Sequence, residues 1–296
     1  GTKRIILYGR LGNNLWQIAF AHWVASLDFK VILIRLVEDS NNESDVITRN
    51  FIKDIVLHCD HQIEYREVFK QSLITRLRYL PDSNFYKKVG KYFWPITYEK
   101  DLLVEDMLYK KRNQAFLGFP QNYLKLTAEV SKVSEEIEKV FRKKHWSKFE
   151  NFKKNKDRNL VVHLRFGDFL ESRHINDFGV LALRYYQNIR RKFGENIFDN
   201  AVFLSDDPAG ANQYLNRIIR SRIFGPDDFD EIESLYLISK TKKLAMSNSS
   251  FCWWGAILAT RNGAEIFAPW PWTKAGEPVL SHIIVPGWTV ELAIYL

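Results

Sequence analysis

The sequence predicts an α/β chain built as two parallel-sheet domains. Three observations predict it: a strand-helix-strand opening, a regular alternation of short apolar runs with helix-period segments after residue 160, and the polar stretch Asn151 to Asn159 that separates the two. Strands divided by helical segments imply parallel sheets covered on both faces. The expected domains are residues 1–155 and 156–296 across a cleft, with the last helix able to pack back on the first domain.

Taken in order, Lys3 to Tyr8 is an apolar run ended by Gly9, a helix-period stretch follows from about Leu15 to Leu27, and Val31 to Leu36 is a second apolar run. From Ile47 to Lys144 the pattern is mixed and aromatic, and only an amphipathic helix over Ala128 to Lys144 stands out. The second half reads as strand Leu160 to Leu164, helix Leu181 to Phe193, strand Ala201 to Leu204, helix Ala209 to Arg217 and a short strand near Ile223. Helix Phe229 to Ser239, strand Lys243 to Met246, helix Phe251 to Arg261 and strand Glu265 to Ala268 complete it. Open parallel sheets bind ligands beyond the carboxyl ends of their strands, so the residues just after each strand are the candidate site.

At 296 residues and 46% hydrophobic content the chain is long enough to bury a core in each domain. It holds no uninterrupted apolar run of the roughly eighteen residues that a membrane span needs, and no charged-then-apolar leader opens it. Two cysteines, Cys59 and Cys252, favour a reducing compartment, and the expected location is cytoplasmic. The net charge of +8 is concentrated in Lys139 to Lys148 and Lys153 to Arg158, read as a solvated helix end and a linker that allow peripheral contact with a membrane surface.

Four post-strand segments carry chemistry. In Gly9-Arg-Leu-Gly-Asn-Asn14 a glycine turn enters a helix, with Arg10, Gly12 and Asn13 placed to meet an anion or a sugar. The spacing is not the dinucleotide G-x-G-x-x-G. In His163-Leu-Arg-Phe-Gly-Asp168 the two-residue period puts His163 and Arg165 on one side of a strand, and an arginine there can hold a diphosphate through paired charge-assisted hydrogen bonds; the structural alternative is an Arg165–Asp168 ion pair with His163 in the core. Ser205-Asp-Asp-Pro208 offers Asp206 and Asp207 as acceptors for the N–H edge of guanine, or as an ordinary helix cap. Ser247-Asn-Ser-Ser-Phe-Cys-Trp-Trp-Gly-Ala256 brings Asn248, Ser249, Ser250 and Phe251 to the start of a helix, a phosphate cradle in residue type. His58-Cys-Asp-His61 lacks the second pair of a zinc framework, Asp228-Phe-Asp230 opens a helix and reads as a cap, and Cys252 reads as a buried thiol. No metal site is expected.

These segments, in this order, resemble the α-1,2-fucosyltransferase family, glycosyltransferase family 11, within the superfamily that includes protein O-fucosyltransferases. The resemblance is carried by Gly9-Arg-Leu-Gly-Asn-Asn-Leu-Trp-Gln-Ile-Ala-Phe-Ala21, Gly118-Phe-Pro-Gln-Asn-Tyr123, Tyr185-Tyr186, Ser205-Asp-Asp207 and Asn248-Ser-Ser-Phe-Cys-Trp-Trp-Gly-Ala256. Phe166 stands where the family has a second arginine, and Asn14 where it commonly has glutamine.

The resemblance implies a GT-B-type fold of two Rossmann-like domains, the donor held by the C-terminal one and the acceptor mainly by the other. It implies a GDP-fucose donor used without a metal, a glycan acceptor with O-2 of a β-galactoside as the expected position, and inversion at the anomeric carbon. Arg165 becomes the residue contacting the β-phosphate, His163 with Asp206 and Asp207 the base and ribose contacts, and Ser249, Ser250 and Phe251 the diphosphate contacts. Asn13 aligns the acceptor, and Asp168 is the candidate base unless the departing phosphate takes the proton. Two other readings remain: transfer of a different nucleotide sugar on the same scaffold, motivated by Phe166, and nucleic-acid binding, which the lysine-rich, aromatic-poor basic blocks disfavour.

Overall fold

The computed structural model describes residues 1–37, 42–58, 62–69, 96–98, 108–109, 114–149, 159–170, 175–275 and 282–296. The chain divides into two compact units, residues 1–140 and 141–296. His61 and Cys59 of the His58-to-His61 group, and the basic block at 153–158, lie outside the described residues.

Unit 1 holds β1 (Thr2–Leu7), α1 (Leu11–Ser26), β2 (Lys30–Val37), α2 (Glu43–Leu57), β3 (Ile63–Phe69), β4 (Ile96–Tyr98), β5 (Gln114–Leu117) and most of α3 (Thr127–Lys143). Its strands are ordered β3-β2-β1-β5-β4, every pair parallel, with Ile5 opposite Leu33 on one side and Phe116 on the other. The central strands are buried on both faces, which is why β1 and β2 read as continuous apolar runs instead of alternating ones. Even Lys3 is fully buried, its ammonium donating to the Leu108 carbonyl and lying 4.7 Å from the Phe29 ring.

Unit 2 continues with β6 (Leu160–Leu164), a 3₁₀ turn (Gly167–Leu170), α4 (Leu183–Phe193), α5 (Glu195–Asp199), β7 (Val202–Ser205), α6 (Pro208–Leu215) and β8 (Ile223–Phe224). It closes with α7 (Glu231–Ser239), β9 (Lys243–Ala245), α8 (Ser250–Arg261), β10 (Glu265–Trp270) and β11 (Thr289–Leu292). The sheet order is β11-β10-β9-β6-β7-β8, again all parallel. The chain ends on a strand, not a helix: β11 pairs with β10 and Leu296 N–H donates to the Val180 carbonyl, so this end stays in the unit 2 layer.

The division falls inside α3, ahead of the polar stretch at which the sequence set it. Aromatic packing supplies the reason: Trp146 stacks on Tyr236 at 3.9 Å and 4°, Phe149 on Phe229 at 5.4 Å, and Lys148 pairs with Glu233 at 3.0 Å. Residues 141–149 are thereby held to α7 before the linker-like sequence begins. Among the described residues no helix is long and apolar enough to cross a membrane.

Candidate functional site

Each sheet has a point at which the chain, having built outward on one side of a strand, crosses to build on the other. In unit 2 this point lies between β6 and β9, in unit 1 between β1 and β5. Neighbouring loops leave such a strand pair in opposite directions, which opens a crevice at the carboxyl ends. All four sequence-singled segments sit at or next to these two points.

At the unit 2 crevice His163, the penultimate residue of β6, bonds through Nδ1 to the Ser247 hydroxyl beyond β9 at 2.7 Å, so one hydrogen bond spans the crossing. Its ring lies 5.9 Å from that of Phe251 in the first turn of α8. Arg165 follows, buried to 9% exposure, with its guanidinium held between two carboxylates: one nitrogen donates to Asp206, the other to Asp168. The Phe169 ring covers the guanidinium at 4.7 Å. Asp206 grips twice, because its second oxygen accepts the Phe166 N–H at 3.0 Å. A β-carbon at Gly167 would sit 2.3 Å from that carboxylate, so only glycine lets Asp206 reach Arg165. The two partners differ in exposure: the Asp206 side chain is 12% exposed, that of Asp168 is 40%.

Asp207 is engaged as a cap. Its side chain accepts the Gly210 N–H at 2.9 Å at the start of α6, its own N–H donates to Ser205, and Pro208 occupies the first turn. The Asp206-Asp207 pair thus turns one carboxylate toward Arg165 and the other toward a helix end, instead of presenting both to one ligand. Asp230 likewise caps α7 in a reciprocal capping box with Glu233, and Asp228 accepts the Gly225 N–H, as the sequence reading of that pair expected.

Beyond β9 the Asn248 amide donates to the Phe178 and Gly179 carbonyls at 3.0 and 3.2 Å, fixing the turn into α8. Ser249 is the N-cap residue of α8 yet makes no side-chain cap bond. The helix behind it is buried nearly all round: Trp253 and Trp254 are both fully buried, and Gly255 admits Ile238 of α7 where a β-carbon would lie 2.5 Å from it. Both tryptophans therefore pack the core and leave the first turn as the part of α8 that can meet a ligand. Burial also pushes the Cys252 thiol up to about 12, the state of an inert thiol.

Phe166, which replaces an arginine of the family pattern, is fully buried in the unit 2 core with its ring 5.7 Å from Tyr214. Arg165 and Phe166 follow the end of β6, where the chain turns into the 3₁₀ segment and the Phe166 ring enters the core. Phe166 contributes neither charge nor surface to the cluster around Arg165.

In unit 1 the turn from β1 into α1 is fixed by amides. Asn14 donates to the Tyr8 carbonyl at 3.1 Å, the Tyr8 N–H donates to Gln17 at 3.0 Å, and Gln17 donates to the Gly118 carbonyl at 2.9 Å. Asn14 also accepts from buried Arg35 at 2.9 Å, whose other nitrogen pairs with Asp45 at 2.6 Å. Asn14 is therefore a structural residue of the turn. Asn13 accepts from Gln121 at 3.1 Å, joining two motif segments 108 residues apart in sequence. Arg10, the N-cap residue of α1, is exposed, and Gly12 is buried in its first turn. Sequence reasoning quoted Gln17, Gly118, Gln121 and Ser247 within motifs without giving them roles, and it missed Arg35 and Phe169; for Arg35, a charged residue in an apolar strand run was the available signal.

Two parallel-sheet units, each with polar side chains gathered at its crossing point and one holding a buried arginine between two carboxylates, define the α/β architecture of the chain. The chain belongs to glycosyl transferase family 11, whose model matches residues 4–291. It is 34% identical over 128 residues to an alpha-1,2-colitosyltransferase from Escherichia coli, a stretch covering 40% of this chain and 42% of that one. It is 28% identical over 116 residues to the O-antigen biosynthesis glycosyltransferase WbnK of the same species, 38% of each chain. The matched stretches thus span less than half the length of these relatives. Among solved structures it is similar to the glycosyl transferase family 9 protein from Veillonella parvula, at 7% identity and a TM-score of 0.43, over 98% of this chain and 85% of that one.

Proposed function

We propose that the protein is an inverting glycosyltransferase that moves L-fucose from GDP-fucose to a glycan hydroxyl, O-2 of a β-galactoside being the expected acceptor position. The observation that carries this reading is Arg165: buried, held on two sides by carboxylates, and placed beside the His163–Ser247 pair where α8 begins. A buried guanidinium held this way is ready for a diphosphate before one arrives.

When the bond from the anomeric carbon to the β-phosphate oxygen breaks, its electron pair stays with that oxygen and the sugar becomes oxocarbenium-like. Arg165 exchanges Asp168 for the phosphate while Asp206 keeps the guanidinium oriented, and the N–H groups of the α8 first turn, with Ser249 and Ser250, add donors to the same charge. His163 and Phe251 border the nucleoside side, and Asn248 holds the turn. Arg10 and Gly12 border the other crevice, and Asn13 aligns the acceptor there. The acceptor oxygen attacks the face opposite the departing diphosphate, and its proton is released on the acceptor side, with the Asp168 carboxylate freed from Arg165 as the candidate base. The charge on the leaving group is met by Arg165 and backbone donors, a metal-independent scheme.

The α-1,2 linkage named for one relative supports O-2 as the acceptor position, and its colitosyl donor keeps a second reading open: another nucleotide sugar on the same scaffold. Incubation with GDP-fucose, GDP-mannose and UDP-galactose in excess EDTA, with and without β-galactosides, separates the readings. Acceptor-stimulated GDP release from GDP-fucose alone, lost in Arg165→Ala, is expected. Release from a different donor replaces the sugar and keeps the scaffold; release that survives Arg165→Ala overturns the mechanism.

A further inference from the structure

We propose that Tyr8 and Phe119 form the platform on which a pyranose ring of the acceptor glycan rests, an assignment that builds on the glycosyltransferase reading. Tyr8 ends the buried run of β1 yet is 59% exposed, and its ring stacks on that of Phe119 at 5.8 Å and 21°. The two residues follow β1 and β5, the adjacent strands that flank the crossing point of the unit 1 sheet.

The surroundings hold this pair in place. The Tyr8 N–H is fixed by Gln17 at 3.0 Å, and Gln17 in turn donates to Gly118, the residue before Phe119. Gly9 has φ +81, and a β-carbon there would lie 3.2 Å from the Phe119 ring and 2.7 Å from the Asn13 amide nitrogen. Glycine is thus what lets the aromatic ring and the amide close on the same turn. An aromatic face in water, held by backbone bonds and not by burial, is matched by a ligand with a C–H face and a rim of hydroxyls. The rim has its partners beside the platform, where Asn13 and Gln121 pair at 3.1 Å and amides offer both donors and acceptors. A nucleobase also stacks on such a ring, and the GDP arm of the test separates the two ligands.

The test is ligand binding to the full chain, followed by saturation-transfer NMR and calorimetry with methyl β-galactoside, methyl β-glucoside, methyl α-mannoside and, separately, GDP. Tyr8→Ala is expected to weaken binding of the preferred pyranoside by on the order of tenfold, Tyr8→Phe to leave it unchanged because the ring face is kept, and both to leave GDP affinity unchanged. Tyr8 is mostly exposed, so neither variant disturbs the core. Phe119→Ala is expected to weaken the pyranoside by a smaller factor. Unchanged pyranoside affinity in Tyr8→Ala, an equal loss in Tyr8→Phe, a loss of GDP affinity in Tyr8→Ala, or no saturable pyranoside binding by the wild type overturns the proposal. Pyranoside binding that depends on Tyr8 in a chain that binds no GDP would instead sink the nucleotide-sugar reading and leave the platform standing.

Discussion

At the carboxyl end of β6 the side chains are charged, buried and already paired: Arg165 with Asp206 and Asp168, His163 with Ser247. At the carboxyl end of β1 they are amides and aromatic rings beside the exposed Arg10, and Tyr8 is mostly in water. Both lie at the crossing point of a parallel sheet, so topology does not distinguish them. Their chemistry does. A buried cation needs counter-charges to be tolerated in the folded chain, and those same carboxylates hold the Arg165 guanidinium in one orientation. A neutral sugar imposes no such condition, and an open face with hydrogen-bonding amides is sufficient. In the proposed reading, the end holding the buried Arg165 serves the step in which charge develops, and the end with the amides and rings serves the partner that stays uncharged.

Gly167→Ala should break this contrast most severely. Its β-carbon would displace the Asp206 carboxylate, 2.3 Å away, from Arg165, and a misplacement of the reacting group by about 1 Å costs on the order of 10²-fold in rate. The expected outcome is a fall of that size in kcat with a much smaller change in KM for the acceptor, measured by nucleoside diphosphate release. A mainly altered acceptor KM would show that the two ends are not divided as argued.

The corresponding change in unit 1, Gly9→Ala, strains a residue at φ +81 and crowds Asn13 and Phe119. The left-handed conformation alone costs about 1–2 kcal/mol. Reduced urea resistance of unit 1, followed by hydrogen exchange of the β1 and β2 amides, is expected together with weaker acceptor use and unchanged GDP affinity.

Asp207→Ala separates the two acids of the Ser205-to-Pro208 segment. Loss of the α6 cap should cost about 1 kcal/mol in denaturant unfolding and leave GDP affinity unchanged, because the Asp207 carboxylate is bonded to Gly210. A tenfold or greater loss of GDP affinity at full stability would return Asp207 to the nucleotide.

The smallest expected effect is on Cys252. Burial raises its thiol from 9.0 to about 12, so the folded chain retains the proton over a range in which the unfolded chain gives it up. The resulting stability is fully present below pH 9 and declines as pH rises from 9 toward 12. Iodoacetamide at pH 8 should modify Cys252 only after unfolding, as read by peptide mass mapping.

The strands β6 to β10 were legible almost to the residue, since each is a short apolar run between turn residues, whereas β11, with Glu291 in its four residues, was missed. The start of α1 was not: the expectation began at Leu15, yet the helix begins at Leu11. Gly12, Asn13 and Asn14 are weak helix formers, and tertiary bonds from Asn14 to the β1 turn and to Arg35 override that preference. Between Ile47 and Lys144 the strands β3, β4 and β5 escaped ordering. In the edge strand β3, Ile63–Phe69, the alternation breaks at Arg66-Glu67 and Val68-Phe69, and β5 has only four residues, so neither carries a strong period.

Sequence by itself determined the two-unit α/β class and the order of the motif segments, because apolar periodicity and turn residues are local properties, and it singled out Arg165 as the central residue only through the family resemblance. Only the tertiary structure decided what those residues do to each other. It spent Asp206 on Arg165 and Asp207 on a helix cap, buried Phe166 in the core, and joined Asn13 to Gln121 across 108 residues. Parallel crossovers bring distant strand ends side by side, and the choice between a paired, a capping and an open side chain rests on neighbours that no local pattern names.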